Sequence, residues 1–215
     1  MAVRNTPATV VVCAPWARAA GLPRRHAMPV TWVVDAAGLS DAVRDGAGAN
    51  LALALDPTWL ASRQILRTAL VRARHAAPGI AAAVLRSAAL DHHAVLAEEG
   101  FRVVVVDAFA ALGRGSRRPA PAGWPCRNVA WGLWEVLACP PRRPRGWAWL
   151  PGLPAPHRGG LHVAVADGGA AGRLLDWAGQ GVARGRAAAV ALAELPAILE
   201  GRRPSTLSAS VLNAA

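Results

Sequence analysis

The sequence has no Lys and no Tyr, and only two Phe. All 24 of its basic side chains are Arg; against 13 acidic residues they give a formal charge of +11 over 215 residues. Ala, Gly and Pro are abundant, so the all-Arg basic set reads as compositional bias. A nucleic-acid binder clusters its charge on one face or in a run. Here Arg is scattered, apart from Arg142, Arg143 and Arg145, and nucleic acid is not an expected partner. Cysteine is scarce: Cys13, Cys126 and Cys139 form no CxxC pair, which argues against a disulfide framework and against a structural zinc site. No apolar run reaches the roughly 18 residues of a membrane span. The N-terminal "MAVRNTPATVVVCAPW" has an apolar run of five residues before Pro15, too short for a signal-peptide core. These absences predict a cytoplasmic protein with no membrane association.

What is present is apolar: 53% of the residues are hydrophobic, enough for one core. The chain is expected to form a single domain over 1–200, with a flexible tail over 201–215. Short runs of Val, Leu, Ile and Ala recur at 9–14, 30–35, 51–56, 80–86, 102–107, 133–138, 162–167 and 187–192. Continuous apolar runs of this length fit strands buried on both faces, and hence a parallel sheet. Helical patterns fall between them at 39–45, 58–76, 91–99, 170–184 and 194–200. The alternation predicts a (β/α) barrel or, failing that, an open doubly wound sheet. Segments 113–127 and 139–160 are rich in Gly, Pro and Arg and read as long loops, which in a compact domain are functional or disordered.

The stretch "LDHHAVLAEEGFRVVVVD" (90–107) sets Asp91, His92 and His93 side by side. Asp, His and His is a ligand set for a divalent metal. However, consecutive helical residues point about 100° apart, so the two His do not share a face. Asp91 is better placed as the cap of a helix over 92–99, with Gly100 in the left-handed position that ends it.

Residues 84–107, "VLRSAALDHHAVLAEEGFRVVVVD", resemble the third motif region of the polysaccharide deacetylase (NodB-homology) family: a strand ending in an Arg, a short helix, then an aromatic-Arg-Val-Val strand. "MPVTWVVD" (28–35) resembles the family's second strand. "GLWEVLACP" (132–140) and "HVAVADGG" with its following helix (162–195) resemble its last core elements. The resemblance spans about residues 28–200 and implies a distorted (β/α)7 barrel. It also implies hydrolysis of an N- or O-acetyl group on a sugar by a metal that polarises the carbonyl and activates water, with an Asp base and a His acid.

The chain departs from that pattern where the chemistry is done. The first strand ends "VVVCAPWA" with no carboxylate, no His lies between His26 and His75, and the last motif's His-Asp pair reads Ala166-Asp167. Arg86 and Asp167 are what survives. The expectation is a deacetylase-like pseudoenzyme: no metal, no cofactor and no assigned catalytic residue. If active, it would be a hydrolase of carbon–nitrogen bonds other than peptide bonds.

Function in such a barrel sits at the C-terminal ends of the strands. The residues there are Asp35, Asp56, Arg86, Asp107 and Asp167, a candidate pocket. An Asp after a strand is also a ready helix cap, and Asp56, followed by Pro-Thr-Trp, leans that way. Trp131, Trp134, Trp147 and Trp149, with Trp124, gather around the two long loops; they are either a stacking platform for sugars or the packing that holds the loops. His162 reads as a core or surface residue, and His75 as a cation at a helix C-terminus. The expected partner is a carbohydrate or, alternatively, a protein bound through the Arg/Trp-rich loops.

Overall fold

A computed structural model describes residues 6–16, 28–47, 50–86, 92–107, 126–138, 159–166 and 171–201. The expected runs become strands β1 (Ala8–Pro15), β2 (Thr31–Val34), β3 (Leu51–Ala54), β4 (Ala82–Leu85), β5 (Val103–Asp107), β7 (Leu133–Ala138), β8 (Leu161–Val165) and β9 (Ala187–Ala189). β6 (Cys126–Ala130) is additional. The helices are α1 (Leu39–Arg44), α2 (Arg63–Ala76), α3 (His93–Glu98), α4 (Ala171–Ala183) and α5 (Leu195–Gly201), with 3-10 turns at Pro57–Ala61 and Leu192–Glu194.

The strands form one curled sheet in the order β6-β7-β5-β4-β3-β2-β1-β8, with β9 also on β1. Every pairing is parallel except β6–β7. β1 is long enough to hold β9 along Ala8–Val10, β8 along Thr9–Cys13 and β2 along Cys13–Pro15. The curl brings β7 and β8 to within 8 Å between Cα atoms. The molecule is thus an α/β fold.

Alternation along the strands sorts side chains onto two cores. Val10, Val12, Trp32, Val34, Leu53, Leu85, Val104 and Val106 pack outward under helix residues Leu39, Leu66, Leu70, Leu96, Leu175 and Trp177. Val11, Cys13, Val33, Ala52, Val84, Val105, Val136 and Val163 pack inward, where Leu192, Leu195 and Leu199 join them. The C-terminal segment therefore closes the end of the curled sheet where the strands begin. Leu192 N donates to Thr31 Oγ1 at 2.8 Å, at the first residue of β2. Arg102, just before β5, pairs with Glu200 at 2.9 Å. The opposite end, where the strands finish, is the rim on which the candidate residues fall.

Local departures have local causes. The pattern over 58–76 divides because Asp56 caps a 3-10 turn and Ser62 then caps α2, accepting from Ile65 N at 3.2 Å. His92, not Asp91, occupies the N-cap position of α3, with no side-chain cap bond. Asp91 lies outside the described residues, as does 202–215 of the expected tail. Gly100 has φ +79 after α3, as its place in the sequence predicts; a Cβ there would run into the Arg74 guanidinium. The loop expected over 113–127 ends instead in β6. The β6–β7 hairpin turns on Trp131 (φ 46) and Gly132 (φ 78), both left-handed as a two-residue hairpin requires. Trp131 is an unusual occupant of that region.

Candidate functional site

Strand ends set the rim. β2 and β3 are parallel neighbours, with Val34 opposite Leu53. Their exits carry Asp35 and Asp56, and between them opens a cleft of about 440 Å³ lined by Asp35, Ala36, Ala37, Ala54, Leu55, Asp56, Pro57 and Trp59. Two of the five expected rim residues thus share one cleft.

Asp56 caps the 3-10 turn that follows it, while Asp35 closes a local turn and is not the cap of α1, whose N-cap is Gly38. Asp35 Oδ1 accepts from Gly38 N at 2.8 Å, closing the turn into α1. Asp56 Oδ1 accepts from Thr58 N and Thr58 Oγ1, both at 2.8 Å. Those bonds, the backbone one first and then the hydroxyl, hold the Asp56 carboxyl below the usual carboxylate range. Capping and ligand-facing roles do not compete here, because one oxygen serves the backbone. The Oδ2 atoms make no hydrogen bond among the described residues. Trp59, partly buried against the outer core, is the aromatic residue of the cleft lining.

Arg86 leaves the rim at the end of β4 and reaches across it. Its Nη2 donates to the carbonyl of Ala166, beyond β8, at 3.1 Å, and Ala166 N in turn donates to Cys13 O at 2.8 Å. β4 and β8 are separated by three strands in the sheet order, so the guanidinium ties opposite sides of the curl together. It also bears on the Cys13 thiol beneath. Burial pushes that thiol up to about 12, against a smaller lowering by the Arg86 charge, so Cys13 is a neutral thiol inside the inner core.

Asp107 is the last residue of β5. Asp167, Trp124, Trp147, Trp149, His26 and His157 lie outside the described residues. Trp131 stands on the hairpin tip with 75% of its surface exposed. Trp134 is partly buried against the inner core near the start of β7, opposite Val103 and at the far end of the strands from the rim; its Nε1 is buried with no hydrogen-bond partner among the described residues. His162 stands edge-on to Trp177, ring centroids 6.0 Å apart. His75 is exposed at the end of α2.

One polar cluster escapes the sequence reading. Glu135, 8% exposed within β7, receives His93 Nε2 from α3 at 2.7 Å and Arg127 Nε from β6 at 2.9 Å. Burial pushes its carboxyl up, but the bonds and charges of His93 and Arg127 outweigh that and hold it below its ordinary value. The only signal was a Glu inside the apolar run "LWEVLA". His93 is accordingly an anchor for α3.

Among the described residues, the donors that a deacetylase metal needs do not come together. The described end of β1 offers only a buried neutral thiol. Among the described residues no three His, Cys, Asp or Glu side chains converge as a metal site. Nor, among them, is any helix long and apolar enough to cross a membrane. Compared with protein-family models, curated proteins and solved structures, the chain matches none.

Proposed function

We propose that the chain is a divergent polysaccharide deacetylase-like (β/α)7-type barrel that binds carbohydrate at its strand-end rim and does not use the family's metal-dependent mechanism. The observation that carries this reading is the β2–β3 cleft. It combines two carboxylates, each with one oxygen uncommitted, and the indole of Trp59. Carboxylate oxygens accept hydrogen bonds from sugar hydroxyls, and an aromatic face packs against the C–H face of a sugar ring. The parallel strand order and the helix-covered outer face agree with a barrel. Many described guanidiniums are already paired within the chain: Arg44 with Asp41, Arg63 and Arg67 with Glu98, Arg102 with Glu200, Arg127 with Glu135. That supports a role other than nucleic-acid binding.

The test is saturation-transfer NMR with β-linked glucose and N-acetylglucosamine disaccharides, on the wild type and on Ala37→Trp, which fills the cleft from an exposed position. Transfer to the wild type that is lost in the variant supports the reading; equal transfer to both, or none to either, overturns it. Acetyl release from the N-acetylated disaccharide is expected to stay at background with zinc added.

One observation favours a second reading, a pseudoenzyme that docks a protein partner through its Arg/Trp segments. Trp131 is exposed, and it is held at a φ that non-glycine residues rarely adopt, the kind of local strain found at functional sites.

A further inference from the structure

The edge strand β6 has weak anchorage of its own. It spans five residues and pairs, among the described residues, with β7 alone, through a ladder interrupted between Asn128 and Ala130. Arg127 and Asn128 are exposed, and Cys126 and Val129 are half-buried. Two short strands are marginal as a unit unless something else holds them. Arg127 supplies such a tie: its Nε donates to Glu135 Oε1 at 2.9 Å. The other oxygen of this buried carboxylate receives His93 Nε2 from α3 at 2.7 Å. Helix α3 has further anchors, since Val95 and Leu96 are buried in the outer core. Loss of the Glu135 charge therefore weighs more on β6 than on α3.

We propose that β6 is an acid-released strap: when Glu135 takes a proton from solvent it lets go of Arg127, and β6 lifts from β7 while α3 and the rest of the sheet stay folded. A carboxylate offers both oxygens as acceptors; once protonated, it turns one into a donor and loses its attraction for the guanidinium. The groups around Glu135 set when that happens. α3 brings His93, with His92 at its N-cap, and β6 brings Arg127. On β5, Glu135 lies opposite the apolar Val104, with Asp107 three residues further at the strand end. α2, packed on α3, brings Arg63 and Arg67, which pair with Glu98 and Glu99 at the far end of α3. β8 brings His162, which stands against Trp177. Burial pushes the Glu135 carboxyl up, but His93 and Arg127 outweigh it and hold the carboxyl below its ordinary value. The strap is thus fastened at neutral pH and comes free as pH falls through that lowered value.

The experiment is amide hydrogen exchange read residue by residue by NMR, at neutral pH and at about pH 4, with each rate corrected for its intrinsic pH dependence. In the wild type, protection of the β6 amides bonded to β7 is expected to fall about tenfold or more at acid pH, the scale of a hydrogen bond to a charged group. Amides of β3, β4 and α3 should keep their protection. Glu135→Gln is expected to show low β6 protection at both pH values. If that buried change prevents folding, Arg127→Gln cuts the same tie from an exposed side chain and should also give low β6 protection at both. Three results overturn the proposal: β6 protection that does not change with pH, a fall shared equally by β3 and β4, or a wild-type pH response that persists in Arg127→Gln.

Discussion

Glu135 is where one residue's chemistry has the clearest consequence. Its carboxylate is buried and held by His93 and Arg127, so its folded pKa lies below its unfolded value. A lowered acid stabilises the fold above the unfolded pKa and stops doing so as pH falls through the folded one. Wild-type stability is therefore expected to decline as pH drops below about 4.5. Glu135→Gln should be less stable at neutral pH by about 1.5–3 kcal/mol, the scale of a hydrogen bond to a charged group, and should show a shallower acid decline. Urea denaturation at several pH values measures both effects. Trp134 is the opposite case: its buried Nε1 has no hydrogen-bond partner among the described residues, and an orphaned donor costs about 1–3 kcal/mol. Trp134→Phe removes the donor along with some packing, and its unfolding free energy in urea is expected to stay within about 1 kcal/mol of the wild type or to rise.

At this scale the sequence was partly legible. Asp56-Pro57-Thr58 announced its own cap, because the bond runs between residues two apart. The partner of His93 is 42 residues away, and no local pattern could name it. The shared cleft of Asp35 and Asp56 follows from which strands are neighbours, and only the sheet order reveals that.

Elements follow the apolar runs where burial is two-sided. β7 falls on its expected residues because "LWEVLA" is flanked by a turn glycine and leaves little choice of register. β6 was hidden because "CRNVA" is a polar edge segment that gains its pairing from β7, and pairing is not a local property. The C-terminal segment was read as a last helix; its work is to close the inner core. Leu192, Leu195 and Leu199 are buried there, although the segment begins only three residues after the short β9. Leu195→Ala is expected to cost about 2–5 kcal/mol, as for other buried leucines, and to raise hydrogen exchange in β1 and β2 as well as in α5. A loss confined to α5 would show that the segment merely rests on the sheet.

The whole molecule is an α/β sheet curled around an inner core, covered by helices outside, closed by its own C-terminal segment at one end and crossed by Arg86 at the other. The alternation of runs and helical patterns made the fold class legible. The degree of curl was not, since it depends on strand stagger and twist. The functional reading rests on the rim, where a cleft lined by two aspartates and Trp59 opens between the exits of β2 and β3. The most direct test is a map of backbone amide shifts during titration with β-linked glucose and N-acetylglucosamine disaccharides. The account predicts saturable shifts concentrated in Asp35–Gly38 and Ala54–Trp59, with the amides around Trp131 unmoved. Shifts centred on Trp131 and β6, or no saturable shift at the rim, would contradict it.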